Sequence, residues 1–135
     1  MKAVAATNTN RILRLEGMAV LGASIAAYYY FHLNWGLFAL LLLLVDVSML
    51  GYWISARVGA LIYNSAHSYI APLALLSVGL VLHIGVAIMV ALIWSAHIGM
   101  DRALGFGLKG AAFDETHLGS IRQPRAVESN RLSVP

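Results

Sequence analysis

The stretch "SAHIGMDRALGFG", Ser95 to Gly107, ends a long apolar run with His97 and Asp101 four residues apart. On a helix that spacing puts an imidazole and a carboxylate on one face. A second signal lies in "LIYNSAHSY", where Tyr63, Asn64 and His67 share a face; a third is Asp46, which interrupts "LLLLLVDVSML". Two histidines and two carboxylates are ligand types for divalent ions such as Zn, Mn or Fe, so Asp46, His67, His97 and Asp101 are the candidate ligands. Tyr63, Asn64, Arg102 and His117 are the candidates to orient them from behind. An open position in such a site carries a water whose pKa the ion draws toward neutrality. The same residues also have blander uses. Asn64 or a histidine can be hydrogen-bonding glue between helices, Asp46 can pair with a snorkelling Arg57, and His97 with Asp101 can be an oriented hydrogen bond. His67 and His97 could also ligate a b-type haem or pass protons along a wet cleft. No spacing as diagnostic as His-Glu-x-x-His decides among these uses.

Composition says what kind of element must position these groups. Of 135 residues, 60% are hydrophobic and only 11% charged, too few charges to cover a soluble domain, so lipid is the expected solvent. A crossing helix needs about 20 apolar residues. Four such spans are expected, at 12–31, 36–54, 58–78 and 84–102, with an N-terminal segment at 1–11 and a C-terminal tail at 103–135. Their turns fall in "YYYFHLNWG", whose aromatic residues suit an interface belt, in "SARVG", and around Gly79, His83 and Gly85 of "SVGLVLHIGV". Pro72 is expected to kink the third span. The expected fold is all-α: an integral membrane four-helix bundle with a short tail, which from about Arg122 reads as disordered.

Charge supplies the orientation. The nine Lys and Arg residues fall before the first span (Lys2, Arg11, Arg14), between the second and third (Arg57), and after the fourth (Arg102, Lys109, Arg122, Arg125, Arg131). Four crossings put all nine on one side, which the positive-inside rule makes cytoplasmic, together with both termini. At about 1.5 Å of rise per residue, Asp46 and His67 lie at similar depth on either side of the Arg57 turn, with His97 and Asp101 in the same leaflet. A polar cluster in the cytoplasmic half of the bundle is therefore expected. Asp46 near a helix centre costs roughly 2.5–3.5 kcal/mol on insertion scales, so it should find a partner. Asp101, in a last helical turn, opposes the helix dipole and needs a positive neighbour: Arg102, protonated His97 or a bound ion.

Ala87, Ala91, Ser95 and Gly99 make a small-residue stripe suited to close packing, within the bundle or as a homodimer face. Membrane lipid is the expected partner. Scattered basic residues give no reason to expect nucleic acid, and the absence of cysteine excludes disulfides and thiolate ligands.

"ILRLEGMAVL", "DVSMLGYW", "GALIYNSAHSYIAPLAL", "SAHIGMDRALGFGLK" and "FDETHLG" closely resemble the bacterial four-helix membrane family called domain of unknown function 4260, over about Arg11 to Gly119. The resemblance implies four spans and a bacterial inner-membrane location, but no reaction. The family's recurrent polar positions fall on Glu16, Asp46, Ser48, Tyr52, Asn64, His67, His97, Asp101, Arg102, Lys109 and His117. More distantly, Asp46, His67 with Ser68, and His97 with Asp101 are similar to motifs of the LexA-binding inner-membrane metal-dependent hydrolases, although Val45 stands where that family has proline and its preceding His-Arg-Gly is unmatched. The expected function is a structural or binding module held by the polar network. The alternatives are a metal-dependent hydrolase acting on a lipid or amphipathic substrate, and a haem or proton-transfer protein using the same histidines.

Overall fold

A computed structural model describes residues 2–109, 115–116 and 119–120. Its elements are α1 (Lys2–Tyr30), α2 (Trp35–Leu44), a 3-10 helix (Val45–Trp53) that continues α2, α3 (Ala56–Ala66), α4 (Ile70–Val81) and α5 (Gly85–Leu104). A two-residue antiparallel pair, β1 (Glu115–Thr116) and β2 (Gly119–Ser120), follows. Among the described residues the chain is thus helical in four runs: α1, α2 with the 3-10 helix, α3 with α4, and α5. Two stretches of the described residues, Trp35–Trp53 and Gly85–Leu104, are long and apolar enough to cross a membrane.

The fold is built around α5. It is apolar on most sides, as a central helix must be, and it buries Ile88, Ala91 to Ile93 and Ser95 to Gly99 against α1, α2 and α4. Where α1 crosses it, Gly17 meets Gly99: a Cβ on Gly99 would lie 2.8 Å from the Gly17 carbonyl oxygen and from the Leu21 nitrogen. Missing side chains are what let these backbones approach. Ala91, Ser95 and Gly99 are all buried, so the small-residue stripe is used inside the chain and only Ala87 of that face is part-exposed. Arg14 Nε donates to the Ala103 carbonyl at 2.9 Å, which joins the Arg14 level of α1 to the end of α5.

At the opposite end of α5, Tyr28, Ile88, Leu92 and Ile93 form an apolar cluster, and the Tyr28 hydroxyl donates to the Asn34 carbonyl at 2.6 Å. Two tight turns close this end, one at His32 (φ 51°) and one at His83 (φ 56°). Each histidine holds the left-handed position that ends a helix, a place usually taken by glycine.

The third run is not one helix. α3 stops at Ala66 and α4 starts at Ile70. Pro72 lies in the first turn of α4, where its missing N–H has no helical partner to lose. The kink expected at Pro72 is therefore replaced by a break at residues 67–69. With no helix through the break, the Ile70 N–H approaches Ser68 Oγ, and the Ala66 carbonyl is free to accept the Trp94 indole N–H from α5.

Candidate metal centre

Three elements deliver the four candidate ligands. His67 is the cap residue that follows α3. His97 and Asp101 lie one turn apart on α5. Asp46 opens the 3-10 helix, which turns three residues per turn and so eclipses Asp46, Met49 and Tyr52 on one face. In an α-helix, Asp46 and Tyr52 would point about 120° apart. Tyr52 in turn packs on Gly59 of α3, where an added Cβ would fall 2.7 Å from the Tyr52 Cα. Close contact between the 3-10 helix and α3 thus holds Asp46 over the end of α3.

The four side chains converge. His67 Nε2 and His97 Nε2 are 3.1 Å apart. Asp46 Oδ1 lies 3.8 Å from His67 Nε2 and 3.4 Å from His97 Nε2. Asp101 Oδ2 lies 3.4 Å and 3.6 Å from the same two atoms. All four atoms fall within 4.8 Å of one another. Zinc–ligand bonds of about 2.0–2.1 Å place tetrahedral donor atoms about 3.3–3.4 Å apart, so the donor set and its spacing fit such an ion. The two imidazoles and Asp101 are enclosed, with side chains 3%, 0% and 14% exposed, whereas Asp46 is 46% exposed and forms the open side.

Proton accounting makes the same point. A carbonyl can only accept, so His67 Nδ1, 3.0 Å from the Tyr63 carbonyl, carries the hydrogen. In the neutral ring, Nε2 is then a lone pair. Asp46 Oδ1, Asp101 Oδ2 and His67 Nε2 are three electron-rich atoms pointing inward, and with neutral rings the donors described toward them are His97 Nε2–H and the long contact of the Tyr63 hydroxyl with Asp101. A surplus of lone pairs around two buried imidazoles favours a cation, either a metal ion or added protons. His97 Nδ1 is buried and has no hydrogen-bond partner among the described residues. The haem reading does not suit this geometry: two Nε2 atoms 3.1 Å apart, flanked by carboxylates, leave no gap for a flat macrocycle between the rings.

Around the centre, Tyr63 stacks on the His67 ring at 3.8 Å, and its hydroxyl reaches Asp101 Oδ2 at a long 3.4 Å. Asn64 bonds to Lys109. Its side chain accepts from the Lys109 N–H at 2.8 Å and donates to the Lys109 carbonyl at 2.9 Å, a two-bond clasp on the chain leaving α5. That chain turns back at Gly105 (φ 96°), where the Phe106 N–H bonds the Asp101 carbonyl at 2.8 Å. The clasp sets the Lys109 ammonium over the Tyr63 ring, 4.4 Å from its centroid. Burial pushes this amine below its ordinary range, against the opposing pull of the Asp101 and Asp46 carboxylates. Arg102, expected beside Asp101, lies instead over the Tyr69 ring at 4.5 Å. His117 lies outside the described residues. Lys109 is the residue whose place was missed; the "LGFGLK" turn signal was visible, but the Asn64 clasp that gives it a destination was not.

Fold and site together define an all-helical protein with two membrane-length apolar stretches and a buried His/Asp cluster able to hold a divalent ion. The chain belongs to the family described as domain of unknown function (DUF4260), whose model matches residues 10–121. Comparison with curated proteins and with solved structures found no match. The likeness to the LexA-binding hydrolases therefore rests on the Asp46, His67 and His97–Asp101 motifs alone.

Proposed function

We propose that this chain is an integral protein of the bacterial cytoplasmic membrane that holds a zinc-class divalent ion at Asp46, His67, His97 and Asp101, and that its reaction class is metal-assisted hydrolysis. The observation that carries the proposal is the inward surplus of lone pairs, spaced 3.1–3.8 Å apart on three separate elements. When bound, such an ion supplies Lewis-acid polarisation and an acidified water. The residues divide the work. Tyr63 locks the His67 tautomer through its carbonyl and braces the ring by stacking, and the α5 spacing aligns His97 with Asp101. Asp46, the exposed member, is the ligand best placed to yield its position to water, as a catalytic rather than structural site requires.

Membrane embedding is supported by the two apolar stretches and by leucines turned outward along α2, where Leu40, Leu43 and Leu44 are each more than half exposed. The Arg14–Ala103 bond supports one common side for the basic ends of α1 and α5, which the positive-inside rule makes cytoplasmic.

Elemental analysis of the detergent-purified chain tests the reading. About one zinc-class ion per chain is expected, lost in His97→Ala. A metal-free chain that folds fully and gains no stability from added zinc overturns it and favours a protonated His67–His97 hydrogen-bond network, the arrangement the 3.1 Å contact would then represent.

A further inference from the structure

The α5 face that presents His97 continues beyond the centre. Val90, Ile93 and Trp94 precede His97 by seven, four and three residues, the spacing of a single helical face, and they wall one side of a cleft of about 380 Å³. Leu41, Leu44 and Val45 wall the other side and lead directly into Asp46, while Ala66 closes the cleft beside His67. Each of the three segments that line it also carries a ligand of the centre within three residues. The Trp94 indole N–H is taken by the Ala66 carbonyl, so the cleft offers an apolar lining, and Asp46 and His67 are the next residues in the chain after its Val45 and Ala66 walls. Its volume lies in the ~300–1,000 Å³ range of ligand pockets.

Charge complementarity identifies the head of the occupant. A divalent ion would offset the Asp46 and Asp101 carboxylates, and the Lys109 side chain over Tyr63 would tip the loaded centre positive. Resting on the metal reading above, we propose that the cleft seats the acyl chain of an anionic lipid, whose head group meets the centre on its Asp46 side. The substrate class is thus an anionic amphiphile that enters from the bilayer.

The probe is dibromostearate, whose bromines quench a tryptophan they touch. In full-length, detergent-purified protein, Trp35→Phe and Trp53→Phe leave Trp94 as the one tryptophan. Quenching is expected to saturate and to tighten about tenfold with zinc. It should be abolished in Ala66→Phe and in Val90→Phe, both of which fill the cleft and retain zinc binding, the readout that they are folded. The methyl ester of the same chain, which lacks an anionic head, should gain nothing from zinc. Quenching that never saturates, or that persists in both filled-cleft variants while zinc still binds, overturns the inference and leaves the metal reading standing. Failure of the unfilled protein to bind zinc overturns the metal reading and this inference with it.

Discussion

Asp46 and Asp101 carry the same charge but sit in different surroundings, and the contrast tells a functional centre from a structural network. Asp101 is 14% exposed and near the Tyr63 hydroxyl; Asp46 is 46% exposed, with the two imidazoles as the contacts described for it. Replacing Asp46 by Asn removes a ligand charge and adds an N–H donor among inward lone pairs. In the metal-free protein Asp46→Asn is therefore expected to leave the melting temperature unchanged or to raise it, while zinc affinity falls by about 10–100-fold, a size seen when even a supporting group of a metal site is lost. Calorimetry of the metal-free form and competition with a zinc chelator measure the two effects separately. A drop in metal-free stability with zinc binding intact would count against the metal reading. Neither carboxylate's environment was legible in the sequence. Depth along the chain implied that Asp46 and Asp101 would meet the histidines, because isolated charge in hydrocarbon is unfavourable, but not which of the two would face out.

The 3-10 helix is the element on which the centre depends most. Runs of 3-10 helix longer than three or four residues are uncommon, and this one spans nine, Val45–Trp53. It persists where Tyr52 is pressed against Gly59. Gly59→Ala is expected to push Tyr52 away, destabilise the chain by about 1–3 kcal/mol and weaken zinc binding through the displaced Asp46, although neither residue is a ligand. Denaturant titration and zinc binding on one sample check both; full zinc affinity in a destabilised Gly59→Ala would show that the 3-10 helix does not position Asp46. The helix ends tell a related story. Gly105 was readable as a stop signal, and it reverses the chain after Asp101. Where the reversed chain goes depends on Asn64, 45 residues earlier, and no local pattern states that pairing. A proline inside an apolar run suggests a kink, but the break three residues earlier moves Pro72 into a first turn, where it fits without distortion.

At the scale of the molecule, the unusual feature is how much apolar surface α2 and α4 turn outward around a well-buried α5. Leu40, Leu43, Ile70 and Val81 are each more than 60% exposed, a surface suited to lipid rather than water. With Arg14 tied to Ala103, reporters fused to either terminus should fall on the same side. A fluorescent-protein fusion is expected to be bright, and an alkaline-phosphatase fusion inactive, at both ends of the chain in a bacterial host. Opposite behaviour at the two ends would rule out an even number of crossings. Zinc at about 100 times its Kd should raise stability by ~2.7 kcal/mol if the ion binds the folded chain alone, which thermal unfolding of the whole protein measures.

Composition and spacing by themselves determined the helical class, the runs of apolar residues, and the four ionisable residues that could share a level. These follow from short-range regularities: helical period, span length, and the penalty for charge in hydrocarbon. Tertiary structure decided the rest. It alone set the 3-10 winding that aims Asp46, the break that ends α3 at His67, the route that brings Lys109 back over Tyr63, and the placement of Arg102 over Tyr69. The last two arise where residues far apart in the chain meet, and all four depend on contacts between elements, which carry no signature in the local sequence on either side.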